Sequence, residues 1–173
     1  MKIKLKKAEL KYLFDLAKKR HDAKHSSFRN KGRIMPKDKD ESFEDLFKID
    51  KQYMPHFLGL VGEYAWSQYS GESADEEIYD VRDGGEDFKG IEVKTITYMG
   101  YGEPELKITQ KEYEERKVPN KYVLARFDMK NKEVEILGTI TRYMFDKKKK
   151  EKKYGQRLPN NFVVPVSEMR KLK

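Results

Sequence analysis

Residues 91 to 97 read Ile-Glu-Val-Lys-Thr-Ile-Thr, and this stretch limits the folding options more than any other. β-branched residues alternate with charged ones, a period of two that belongs to a strand and not to a helix. Side chains alternate across a strand, so Ile91, Val93 and Thr95 share one face and Glu92 and Lys94 the other. A carboxylate and an ammonium group therefore project side by side from a strand whose opposite face is built for burial. The fold must cover the apolar face and leave the charged pair a partner or a task.

Helical patterns precede this strand. Leu10, Leu13, Phe14, Ala17 and His21 recur at helical spacing, which predicts a helix from about Lys7 to Arg29. Residues 30–50 are mixed and read as a loop with one helical turn near Phe43 to Phe47. A second helix is expected from Pro55, a good first-turn residue, to Tyr69, closed by Gly71. Phe57, Leu58, Val61 and Ala65 form its apolar stripe, and Glu63 lies off it.

Downstream, short strands are expected at Ile78 to Arg82, through Asp87 and Phe88, and at Glu105 to Ile108, with turns at Asp83-Gly84-Gly85 and Lys89-Gly90. Thr109 can cap a helix from Gln110 to about Lys117, with Glu112 at capping-box spacing. Strands follow at Tyr122 to Phe127 and Val134 to Thr141. A helical turn at Tyr143 to Asp146, a lysine run, an extended piece at Phe162 to Pro165 and a short helix complete the chain. The division expected is an N-terminal helical arm over residues 1–50, a core over 51–146, and a basic loop with a C-terminal tail packing on the core over 147–173. The fold class is α/β: a mixed central sheet flanked by helices, with an N-terminal helical extension.

A chain of 173 residues can bury a core without staples, and it has none, since it contains no cysteine. Disulfides, thiolate metal sites and cysteine nucleophiles are excluded. A cysteine-free chain fits a reducing cytoplasm, which is the expected location (a host cytoplasm if the source is viral). No apolar run approaches the roughly 18–20 residues of a membrane span, so no membrane partner is expected. The basic start lacks a following apolar stretch, so no secretory signal is expected. The net charge of +8, in a chain with 39% charged residues, favours a polyanionic partner, although such a surface also serves solubility alone.

Asp87 stands five residues before Glu92. If Lys89-Gly90 turns the chain, Asp87 returns beside Glu92, and two such carboxylates repel unless a cation lies between them. Hard oxygen ligands favour magnesium or manganese. A divalent ion so held polarises a phosphate, and a neighbouring lysine can orient or deprotonate water or stabilise the phosphorane charge. Glu63, on a helix face carrying Gly59 and Gly62, is available as a third carboxylate.

Gly84-Gly85-Glu86-Asp87-Phe88, then Ile91-Glu92-Val93-Lys94-Thr95, with Gly62-Glu63 on an upstream helix, resembles the core of the PD-(D/E)xK nuclease superfamily, the restriction-endonuclease-like fold. The resemblance spans roughly residues 55–141 and implies the order helix, three-stranded meander, helix, strand. It implies Asp87 and Glu92 as metal ligands, the Val93 carbonyl as a further ligand, Glu63 as an outer or second-metal ligand, and Lys94 as the catalytic lysine. It further implies a magnesium- or manganese-dependent endonuclease acting on DNA, in phage, restriction, repair or recombination work. No proline precedes Asp87, as is common in the family, and the helix after the meander is short. The competing expectations are a solvated Glu92–Lys94 ion pair and a non-catalytic nucleic-acid-binding module on the same fold.

Other basic and aromatic residues are candidates for nucleic-acid contact: Arg82 and Lys89 near Asp87, Tyr98 in the loop after the strand, and the run Lys147, Lys148, Lys149 and Lys150. The first helix, with Lys18, Lys19, Arg20, Lys24 and Arg29, could clamp nucleic acid or form a homodimer. His21 and His25 have i, i+4 spacing but no evident third ligand, and His56 lies two turns before Glu63.

Overall fold

The computed structural model describes residues 1–26, 52–73, 87–97, 102–156 and 158–172. Its elements run β1 (Lys2–Lys4), α1 (Lys7–Ser26), α2 (Met54–Ser70), β2 (Ile91–Thr97), β3 (Glu105–Thr109), α3 (Gln110–Glu115), β4 (Lys121–Asp128), β5 (Glu133–Thr141), α4 (Arg142–Lys148), β6 (Lys150–Lys153) and β7 (Asn160–Pro165). The expected turn at Phe43 to Phe47 and the expected strand at Ile78 to Arg82 lie outside the described residues.

Local chemistry sets several of these boundaries. Pro55 sits in the first turn of α2, and Gly71 ends it in the left-handed region at φ 75°, with its N–H on the Ser67 carbonyl. Thr109 caps α3 by accepting from the Glu112 N–H at 3.1 Å, and Thr141 caps α4 in the same way through Met144 at 3.3 Å. The Asp128 carboxylate accepts from the Asn131 N–H at 3.0 Å and shapes the turn between β4 and β5.

The central sheet is mixed, in the order β1-β5-β4-β2: β2 runs parallel to β4, while β4–β5 and β5–β1 are antiparallel. Both faces are covered, so β4 reads as an almost continuous apolar run. Val93, Val123, Ala125 and Phe127 face α1 and α2, where Phe57, Val61 and Ala65 meet them. Tyr122 and Leu124 face the other way, towards Leu106, Ile108, Phe145 and Val164. That second layer is an antiparallel sheet, β3-β7-β6, with α3 and α4.

A bulge interrupts the β4–β5 ladder between Leu124 and Ala125, opposite Gly138 and Ile136. Leu137 is the extra residue, and it shifts the phase of β5. Val134 and Ile136 belong to the helix-side core, whereas Ile140 belongs to the other.

The observed class is α/β, a mixed sheet flanked by helices together with an antiparallel sheet. Three expectations need correction. Residues 105–109 form a strand, but it pairs with β7 in the second sheet instead of extending the central one. Asp87 and Phe88 form no strand, only a single bridge from Phe88 to Ile91. Of the three-stranded meander, only β2 is therefore present among the described residues. The residues expected as an arm contribute β1 to the sheet and Leu5, Leu10, Leu13, Leu16 and Ala17 to the core. The basic loop at 147–150 is also corrected: Lys147 and Lys148 end α4, and Lys150 opens β6.

Phe127 and Phe57 are both fully buried and pack edge to face at 6.0 Å, joining sheet to helix layer. Phe127→Ala is expected to destabilise the fold by about 3–5 kcal/mol. Urea unfolding should show a lower midpoint with an unchanged slope.

Candidate active site

The approach of α2 to β2 depends on an absent side chain. A Cβ on Gly62 would collide with Thr95 Oγ1 and come within 3.2 Å of Val93 Cγ1. Glycine there lets the helix lie against the Val93 and Thr95 face of β2, and the next residue is Glu63. Glu63 is 7% exposed, and one of its carboxylate oxygens lies 3.4 Å from the Arg20 guanidinium of α1.

Phe88 to Ile91 make a tight turn, with the Ile91 N–H on the Phe88 carbonyl at 3.0 Å. Gly90 holds the third position at φ 73°, where a left-handed residue is required. A side chain there would also strike the Asn120 amide. The turn sends Asp87 back along β2, where its carboxylate accepts the Val93 N–H at 2.6 Å. Among the described residues β2 has a partner on one side only, β4. Asp87 satisfies a backbone donor on the other side. The N–H and C=O of one strand residue point the same way, so the Val93 carbonyl also faces that open edge.

Glu92 and Lys94 project from the opposite face of β2, away from α2 and towards α3. The Lys94 ammonium bonds Glu92 Oε1 at 2.6 Å and also Glu112 Oε1. Arg116 closes the group, 2.9 Å from Glu112 and 3.4 Å from Glu92. Glu92 is only 5% exposed, so this is not an ion pair in open solvent. Its second oxygen, Oε2, is buried without a hydrogen-bond partner.

The three acids thus gather about one sheet edge from different directions: Glu63 from the helix face, Glu92 from the other face, Asp87 from the edge itself. Burial, then the charges of Glu63 and Glu92, push the Asp87 carboxyl well above its usual range, against the pull of the Val93 N–H and Lys94. Burial also raises Glu92, against Lys94 and Arg116. Burial works to lower Lys94, but Glu92 and Glu112 outweigh it and hold the group up as an ammonium. Burial works to raise Glu112, and Lys94 and Arg116 bring it down. In this arrangement Lys94 is a charge donor and not a proton acceptor. Among the described residues, no three His, Asp or Glu side chains are arranged to hold a metal ion.

Glu112 and Arg116 were not legible as site residues. Glu112 reads as half of a capping box, and its carboxylate does take the Thr109 N–H, yet it also grips Lys94 from 18 positions away. Beside the acids lies a small cleft lined by Arg116, Lys117, Tyr122 and Arg142. Arg142 donates to the Tyr122 hydroxyl at 2.8 Å. These cations were not among the expected ones. Lys89 is exposed in the turn beside Asp87, while Arg82 and Tyr98 lie outside the described residues. Lys147 sits over the Tyr143 ring, and Lys150 is exposed on β6. Lys148 pairs with Glu168 and Lys149 with Asp146, each at 3.5 Å. His21 packs 5.6 Å from His56 across α1 and α2; the side chain of His25 lies outside the described residues.

Asp87 yields a stability test. Its raised pKa means that the folded state holds the proton more tightly than the unfolded chain. That stabilisation is complete below the unfolded value, about 3.9, and is lost as pH rises through the folded one. Asp87→Asn stays neutral and can still accept the Val93 N–H. In chelator it should unfold at higher urea than wild type at neutral pH, with the advantage gone at strongly acidic pH. A less stable variant at neutral pH would mean that Asp87 is not under charge stress. Compared with protein-family models, curated proteins and solved structures, the chain matches none.

Proposed function

We propose that this chain is a magnesium- or manganese-dependent endonuclease that hydrolyses phosphodiester bonds, with DNA as the substrate, and that it carries a restriction-endonuclease-like core. One observation carries the reading: Asp87 is folded back onto the strand that bears Glu92 and Lys94, near enough to Glu92 that the two carboxylates repel, and one Glu92 oxygen is buried without a partner. Such an oxygen is costly unless a cation takes it. Asp87, Glu92 and the Val93 carbonyl are a donor set of two carboxylates and one carbonyl. That suits magnesium, which binds through one or two carboxylates and keeps several waters. The ion, when bound, supplies Lewis acidity and an acidified water.

The chain's own residues do the rest. Glu63, balanced by Arg20, adds negative charge next to Asp87 in an outer position. Lys94, kept protonated by Glu92 and Glu112, stabilises charge developing on the phosphate and orients the attacking water. If Glu92 turns to a cation, Glu112 still holds Lys94 in place. Arg116, Lys117 and Arg142 line the approach for a polyanion, and the net charge of +8 acts in the same direction.

A second reading follows from a different observation. Glu92, Lys94, Glu112 and Arg116 already satisfy much of each other's charge, as they would in a non-catalytic nucleic-acid-binding module. The two separate on a panel of duplex, branched and single-stranded DNA and RNA incubated with magnesium, manganese or EDTA. The nuclease reading expects divalent-dependent cleavage, lowered at least about a hundredfold by Lys94→Ala or Asp87→Asn. Salt-sensitive binding without cleavage under any ion would support the module instead. Undiminished cleavage by Asp87→Asn would remove the assigned site.

A further inference from the structure

A second cavity lies on the helix side of the central sheet, at the start of β4 and the end of β5. It encloses about 560 Å³, within the size range of small-molecule sites. The end of α2 supplies Trp66 and Tyr69 as one wall, with ring centroids 5.3 Å apart. Lys121, Thr139 and Thr141 come from the sheet, where Lys121 pairs with Thr141 in register. The tail crosses at Arg170, held to Thr139 by a pair of backbone hydrogen bonds of 2.9 and 2.8 Å.

Two properties define an occupant. Lys121, Arg170 and Lys171 all line the cavity, and no carboxylate among the described residues ion-pairs with them. The one acid in the lining, Glu168, is engaged by Lys148 at 3.5 Å. The cavity therefore favours an anion. Its aromatic wall and apolar lining, with Ile140, Met144 and Leu172, favour a flat ring system attached to that anion.

We propose that this cavity is a binding site for a nucleoside monophosphate, with the base against the Trp66–Tyr69 wall and the phosphate among Arg170, Lys171 and Lys121. The site does not depend on the acidic cluster: it needs neither metal nor cleavage, and it stands or falls apart from the proposed nuclease activity.

Trp66 is the sole tryptophan of the chain, so its fluorescence reports on this cavity alone. Titration of the full chain with adenosine monophosphate in EDTA should change the emission saturably. Adenosine alone and inorganic phosphate alone should each bind at least about tenfold more weakly, since each lacks one half of the recognition. Arg170→Ala, at an exposed position outside the core, should fold normally and raise the Kd by about threefold to tenfold. Tyr69→Ala, at a half-buried position, should weaken binding through loss of part of the aromatic wall. No saturable change at millimolar ligand would overturn the proposal. So would an equal response to phosphate, acetate and the nucleotide, or a Kd indifferent to Arg170→Ala.

Discussion

Among the described residues β2 is an edge strand, and that edge is the constraint around which the site is organised. A strand at a sheet edge presents backbone donors and acceptors that need partners. β2 meets this need on one side by parallel pairing with β4 and on the other through the Asp87 carboxylate. That second solution requires a turn tight enough to reverse the chain within four residues, and Gly90 provides it. It also brings an acid to a place already flanked by Glu63 and Glu92. The same hydrogen bond that completes the strand creates the electrostatic tension of the site.

The two faces of β2 relieve that tension differently. On the helix side, Glu63 has Arg20 from α1, so the packing of the two helices also supplies a counter-charge. On the other side, Lys94 and Arg116 are shared between Glu92 and Glu112. Sharing leaves one Glu92 oxygen with nothing. A purely structural ion-pair network would be expected to satisfy a buried carboxylate fully, because an unpaired buried oxygen is costly. Asp87 lies near enough to Glu92 for their charges to repel.

Much of the local structure was legible because it rests on short-range chemistry. Pro55 and Gly71 bracket α2, Thr109 starts α3, and alternation marks β2 and β5. The turn at Lys89-Gly90 was legible too, and with it the return of Asp87 to β2. What could not be read depends on pairings across long stretches of chain. Glu105 joins Pro165 in register, so β3 left the central sheet for a partner about sixty positions away. Glu112 had a sufficient local role as a helix cap, and nothing nearby announced Lys94. His21 had a tempting neighbour at i+4, and nothing in the sequence announced that helix packing sets it beside His56. The lysine run carried no periodicity, which hid both the last turn of α4 and the beginning of β6.

The extra residue at Leu137 has a mechanical consequence. Because β5 changes phase there, its first half is anchored among the helices and its second half in the opposite layer. The strand is a stitch passed through the sheet, fastened on either side by different side chains. Pulling out one layer would drag on the residues that secure the other. The two apolar clusters should therefore melt together, and hydrogen exchange along β5 should show a single opening free energy from Val134 to Ile140.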